Sequence, residues 1–217
     1  MKSQVRTLSR QERTEVTRAR LIESAEKIFA RDGFEVAKLE EIAADAGYTR
    51  GAFYANFQSK EDLFLALLER EASSRIENAR KQLDKTRGSE AKLQAMRAYF
   101  MRKSLDRRWS LLSLEFKLFA IRHPGVKNRL AAINRRFIFS WVDTLEEMVK
   151  AVGHQLAAST PAVGMSLPSL SNSLTIEHML DRTLMSGEDV EKILGSFFDC
   201  MTGGHAPAGK TKGSPTP

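Results

Sequence analysis

The sequence predicts an all-α protein of about nine helices. It divides into an N-terminal three-helix unit and a longer helical domain. Apolar residues recur at three- and four-residue steps through most of the 217 residues. The period-two alternation of β-branched residues that marks strands is missing throughout. Glycine, proline and capping residues break the chain at intervals suited to helices, short ones first and long ones after.

The elements follow in order. Ser9 and Glu12 form a capping box that starts the first helix. Val16, Ala19, Ile22, Ala25, Ile28 and Phe29 make its apolar face, and Gly33 is placed to end it in a left-handed cap. A second helix runs from Leu39 to Ala46, burying Leu39, Ile42, Ala43 and Ala46. Gly47 allows a tight turn, and Thr49 caps a third helix through Phe53 and Tyr54. Ser59 and Asp62 form a second capping box, opening a long helix near 60–86. Further helices are predicted near 90–106, 109–122 and 125–152, punctuated by Gly88 and by His123-Pro124-Gly125. Residues 153–170, rich in small residues, Thr and Pro, read as a loop. Two last helices lie near 168–182 and 187–201. The expected organisation is a basic arm (1–12), a three-helix domain (13–58, with a motif at 38–57 taken up below), a second helical domain (59–202) and a disordered tail (203–217).

Composition narrows the function. Hydrophobic residues make up 42% and charged residues 28%, which suits a packed core. The net charge of +7 favours anionic partners without choosing among them. Residues 61–140 carry 18 basic and 9 acidic side chains, whereas 141–217 carry 5 and 9. Cys200 is the single cysteine, so no internal disulfide forms, and a small packed residue is expected there. No apolar run reaches the roughly 18 residues of a membrane span. No signal peptide is evident, and the expected location is the cytoplasm. A Gly-rich phosphate loop and a metal-ligand cluster are missing, and His123, His154, His178 and His205 are scattered. No enzyme activity, catalytic residue, metal or cofactor is therefore expected.

The segment LEEIAADAGYTRGAFYANF carries the principal motif. Two crossing helices need a small residue at their contact, which Ala43 supplies, and a turn tolerant of positive φ, which Gly47 supplies. The second helix enters a major groove about 12 Å wide only if its outer face is polar and slim. Thr49, Arg50, Gly51 and Ala52 meet that need. This is the pattern of a helix-turn-helix.

The run IAADAGYTRGAFYANFQSKEDLF resembles the signature of the TetR/AcrR family of regulators, through Ile42, Ala43, Ala46, Gly47, Thr49, Gly51, Tyr54, Phe57, Lys60 and Leu63. Upstream, AEKIFARDGFE resembles the end of that family's first helix. The resemblance is specific over residues 13–70. It implies a homodimer that binds a palindromic double-stranded DNA operator and leaves it when a small-molecule effector binds. Thr49 and Arg50 are implied to face base edges, Gly51 to allow close approach, and Tyr54 and Lys60 to hold phosphates. Two positions depart from the pattern. Ala37-Lys38 stands where Thr or Ser usually caps the second helix, so Lys38 is a phosphate candidate on a weaker cap. Asn56 replaces a common His and remains a candidate contact.

For the second domain the expectations are coarser. Phe100, Met101, Trp109, Leu112, Glu115, Phe116, Phe119, Phe137 and Trp141 are candidates to line an effector pocket. Glu115 either faces that pocket or pairs with Arg97, Arg102 or Arg122, and the charge of the ligand stays open. The last two helices carry more apolar surface than one subunit buries, which puts Leu174, Met179, Ile193, Leu194 and Phe197 at a dimer interface. A ligand-dependent activator and a nonspecific basic helical DNA-binding protein are the alternative readings.

Overall fold

The computed structural model describes residues 9–203. Among them all regular structure is helical: α1 (Arg10–Asp32), α2 (Leu39–Asp45), α3 (Arg50–Tyr54), α4 (Lys60–Asp84), α5 (Ser89–Lys103), α6 (Arg107–Arg122), α7 (Pro124–Ala151), α8 (Thr160–Leu180) and α9 (Gly187–Met201). Most of the expected basic arm and of the expected disordered tail lie outside the described residues. The chain forms two compact units. The first takes the chain up to Arg75 together with Leu111–Arg135. The second takes Ile76–Ser110 and the chain from Arg136 onward. The expected cut at 58–59 differs from this division, because α4, α6 and α7 each contribute to both units.

In the first unit, α1 begins with the expected capping box. The Ser9 hydroxyl accepts from the Glu12 N–H (3.1 Å), and the Glu12 carboxylate accepts from the Ser9 N–H (2.7 Å). At α4 the Ser59 hydroxyl accepts from the Asp62 N–H (3.2 Å). Asp62 reaches past Ser59, however, to the N–H of Gln58 (3.2 Å), so the expected reciprocal box is shifted by one residue. Leu21, Ala25, Ile28 and Phe29 of α1 are buried, with Ile42 and Ala43 of α2, Phe53 of α3, and Leu63, Phe64 and Leu67 of α4.

An aromatic cluster ties this unit together. The ring of Phe34, in the turn after α1, lies 5.6 Å from Phe29, 5.2 Å from Phe64, 5.1 Å from Phe116 and 4.8 Å from Phe119. Phe64 and Phe116 stack at 4.1 Å. One side chain from an irregular segment thus touches α1, α4 and α6.

The second unit is built on α7, whose Ile138, Trp141, Val142, Leu145, Met148 and Val149 are buried with Leu93 and Met96 of α5, Val163 and Leu167 of α8 and Phe198 of α9. The Arg97 guanidinium of α5 donates to both oxygens of Asp199 on α9, at 2.7 and 3.1 Å.

The loop expected over 153–170 is instead largely helix. α8 starts at Thr160, and Pro168 sits inside it. Pro161 occupies the first turn, where proline is favoured. Pro168 removes one hydrogen bond at a cost near ~3 kcal/mol. Burial of Val163, Gly164, Leu167 and Thr175 along one face outweighs it. Gly164 makes the approach to α7 possible, since a Cβ there would meet Ile138 Cγ2 at 2.7 Å. Composition suggested a loop; a tertiary contact made a helix.

Truncating Phe34 to Ala should cost about 3–5 kcal/mol in equilibrium denaturant unfolding, the usual range for a buried phenylalanine. Truncating exposed Ile121 to Ala should leave the midpoint nearly unchanged.

Candidate nucleic-acid interface

The two short helices α2 and α3 meet at a tight turn. The Gly47 N–H donates to the Ala44 carbonyl (3.0 Å) and the Tyr48 N–H to the Ala43 carbonyl (2.8 Å). Gly47 has φ +78°, the left-handed conformation the sequence demanded of it. The Ser24 hydroxyl of α1 donates to the Ile42 carbonyl (2.9 Å) and fastens α2. Lys38 precedes α2 without a side-chain capping bond, as its substitution for Thr or Ser implied. Glu40 and Glu41 stand in the first turn, where their charge complements the helix dipole.

α3 opens at Thr49, whose hydroxyl accepts from the Ala52 N–H at 3.2 Å. Gly51 is exposed, and its nearest neighbour for an added Cβ is the Thr49 hydroxyl at 3.7 Å, so the inner packing of the motif does not require a glycine there. Arg50 is exposed. Its guanidinium lies 3.0 Å from Glu40 and 5.6 Å from the centre of the Tyr54 ring. The Tyr54 hydroxyl, and then the charge of Glu40, hold the Arg50 pKa further above its ordinary value. Tyr54 is 46% exposed, and its ring packs edge-on against Phe53 at 5.3 Å.

Two expected contacts are differently engaged. The Asn56 amide donates to the Ala52 carbonyl (2.8 Å), and its oxygen is buried without a hydrogen-bond partner. The Lys60 ammonium donates to the carbonyls of Glu35 (2.8 Å) and Ala37 (3.2 Å) and lies 4.9 Å over the Phe34 ring. One of its three N–H groups is left for any other acceptor. Sequence reasoning missed Arg18. Its guanidinium donates to the Asn56 carbonyl and covers the Phe57 ring at 4.2 Å, which supports the segment just after α3. A single arginine on a long helix gives no signal of that partner.

The nine pocket candidates do not form one group. Leu112, Glu115, Phe116 and Phe119 belong to the first unit; Phe100, Met101, Trp109, Phe137 and Trp141 belong to the second. Phe116 and Phe119 are part of the Phe34 cluster. Glu115 takes up neither expected role. Its Oε1 accepts from the backbone N–H of Phe34 at 2.6 Å and of Glu35 at 3.4 Å. Backbone amides at the end of α1 outcompete any arginine, and no side-chain pattern announces them. In the second unit Phe100 packs on Trp141 at 5.1 Å, and the Trp141 indole N–H is buried without a partner. An open cavity of about 500 Å³, which the sequence did not suggest, is lined by Glu146, Lys150, His154 and Thr160 between α7 and α8.

The dimer candidates are also rearranged. Leu194 is only 2% exposed and serves its own subunit, because α9 turns Val190, Leu194 and Phe198 inward at four-residue spacing. Leu174, Met179 and Phe197 are half-buried, and Ile193 is exposed. Leu180, in the expected apolar row of α8, is exposed, and Met165 and Leu184 add exposed apolar surface that the expectation had left out. Cys200 is exposed rather than packed.

Two short helices crossing at Ala43 and Gly47, the second with an open polar start, define a helix-turn-helix protein. Residues 21–67 match the family model of bacterial regulatory proteins of the tetR family. The match takes in the end of α1, α2, α3 and the start of α4, so the N-terminal helices are a DNA-binding domain similar to that of the TetR/AcrR regulators. Among curated proteins it is 33% identical over 84 residues to the transcriptional activator FasR of Mycolicibacterium smegmatis, covering 38% of each chain. It is 45% identical over 58 residues to the transcriptional regulator TtgR of Pseudomonas putida, covering 27% of this chain and 28% of that one. The chain is thus matched to less than two fifths of these relatives' length. In fold it is similar to a TetR-family regulator from Mesorhizobium loti, with a TM-score of 0.66 and 19% identity over 87% of this chain and 96% of that one. FadR from Bacillus subtilis, solved in complex with stearoyl-CoA, gives a TM-score of 0.65 at 16% identity over 87% and 99%. Among the described residues, no helix is long and apolar enough to cross a membrane, and no group of three or more His, Cys, Asp or Glu is placed to hold a metal ion.

Replacing Thr49 by Ala removes the α3 cap and should lower stability by about 1 kcal/mol in thermal or urea unfolding. Replacing Lys38 by Thr should restore a cap to α2 and raise stability by a similar amount.

Proposed function

We propose that the chain is a sequence-specific DNA-binding regulator, a homodimeric repressor that a small-molecule effector releases from a palindromic operator. The observation that carries this reading is the open start of α3. Thr49, Arg50 and Tyr54 stand exposed around a capped helix N-terminus. Arg50 is free to leave Glu40, an exposed pair of small worth, for the O6 and N7 of a guanine. Tyr54, and the remaining N–H of Lys60, serve phosphates and set register. Lys38 is assigned a phosphate contact, and Asn56 one that requires its amide to leave the Ala52 carbonyl.

Dimerisation is supported by the apolar surface left on and around α8 and α9, at Met165, Leu180, Leu184 and Ile193. Two-fold pairing of such a patch covers it on both copies. The effector reading is supported by Phe100 and Trp141 in the second unit. A buried indole N–H without a partner favours an apolar ligand that presents a hydrogen-bond acceptor. FadR, similar in fold, was solved with stearoyl-CoA, whose acyl chain is apolar and whose thioester carbonyl is a hydrogen-bond acceptor. AcnR of Corynebacterium diphtheriae is named a repressor and FasR an activator, so both directions of control occur among the relatives.

Binding to a duplex from upstream of the protein's own gene should exceed binding to a random duplex by about a thousandfold or more, measured by band shift at fixed salt. Equal affinity for both would sink the proposal in favour of nonspecific binding. Arg50→Ala should lower affinity and relax the preferred sequence, whereas Tyr54→Ala should weaken all duplexes alike. Ile193→Asp combined with Leu184→Asp should convert a dimer to a monomer in sedimentation velocity, with the helical circular dichroism retained.

A further inference from the structure

We infer that the Glu115 carboxylate is the positioning group that sets the helix-turn-helix for DNA, by holding the backbone of the Gly33–Glu35 turn from α6. The inference rests on the DNA-reading role proposed above and names how that role is controlled.

The turn at residues 33–38 joins α1 to α2, so its conformation decides how α2 and α3 are carried. Its backbone is gripped at both poles. Glu115 Oε1 accepts from the N–H groups of Phe34 (2.6 Å) and Glu35 (3.4 Å). Lys60 Nζ donates to the carbonyls of Glu35 (2.8 Å) and Ala37 (3.2 Å). An anion meets the donors and a cation meets the acceptors, the arrangement that makes hydrogen bonds strong.

The fit at the anionic side is close. Gly33 has φ +82°, and a Cβ on it would stand 2.8 Å from Glu115 Oε1. The left-handed backbone favours glycine there, and a Cβ would push the carboxylate away from the turn. The Phe34 side chain anchors the same turn from within.

Lys60 is the first residue of α4 and Glu115 lies midway along α6. Both helices extend beyond the first unit, α4 past Arg75 and α6 ahead of Leu111. A shift of α6 of an ångström or so along its axis would take Oε1 out of reach of the Phe34 N–H, because hydrogen bonds weaken steeply with distance and angle. The turn would then keep its cationic hold and lose its anionic one. DNA reading would fall without any change in the residues that touch DNA.

The full chain tests this. Two quantities are read: amide hydrogen exchange at Phe34 and Glu35, and affinity for the own-gene upstream duplex against a random duplex of equal length. Glu115→Ala should speed exchange at both amides and weaken specific binding, each by about tenfold or more, since a charge-assisted hydrogen bond is lost. Random-duplex affinity should stay near wild type. Glu115→Gln keeps an acceptor and should fall between. Gly33→Ala should weaken specific binding less in the Glu115→Ala background than alone, because the clash with the carboxylate is then gone. Should Glu115→Ala fail to fold, Glu115→Gln and Gly33→Ala carry the same comparison. The inference is overturned if exchange is unchanged in Glu115→Ala, or if exchange quickens while specific binding stays at wild type. It is equally overturned if both affinities fall together in proportion to the folded fraction, the mark of a merely structural bond. A wild-type protein without preference for its own upstream DNA would instead refute the DNA-reading role itself.

Discussion

The first unit depends on the insertion of one ring. Phe34 enters from a turn rather than a helix and reaches Phe29, Phe64, Phe116 and Phe119. Rings at these separations and tilts gain edge-to-face attraction beyond the area they bury. Because they belong to α1, α4 and α6, the insertion fixes three helices and the turn together. α2 and α3 have seven and five residues, too few to hold a helical conformation alone. They exist because α1 and the turn hold them, and the turn stays in place because Phe34 is buried.

The exposed start of α3 is held only by contacts at its own surface. Arg50 rests between Glu40 and Tyr54, and Thr49 is occupied in capping α3. Neither arrangement is deep. Exposed ion pairs contribute little, so the proposed exchange of Glu40 for a base edge costs Arg50 little. The supporting contacts are of another kind. Arg18 on the Asn56 carbonyl, Ser24 on the Ile42 carbonyl and Lys60 on the Glu35 and Ala37 carbonyls all tie side chains to backbone across the sequence. Weak contacts sit where exchange is needed, and long-range ones sit where the scaffold must not move.

What the sequence disclosed follows from how local each signal is. Ser9 with Glu12, Gly47 and Thr49 declare themselves, since a cap or a positive-φ turn is decided within a few residues. Eight of the nine helices were predicted to within a few residues for the same reason. α8 was partly hidden because its first half is held by burial against α7, which composition does not record. Glu115 was misread because its partners are backbone amides some eighty residues away, and backbone amides leave no mark in a pattern of side chains. Leu194 was placed outward because a helix with apolar residues on several faces does not say which one its own subunit takes. Lys60 was recognised as important, yet its resting bonds fall to carbonyls of the turn.

The exposed sulfur of Cys200 has a practical consequence. It is the single thiol of the chain, and it stands near the end of α9. A spin label or fluorophore attached by thiol chemistry therefore goes to one site without any engineering. In a two-fold assembly each copy would carry one such probe, related to its twin by the symmetry axis. The separation between the pair, followed as DNA or a small molecule is added, would report the movement of the two subunits in ångströms.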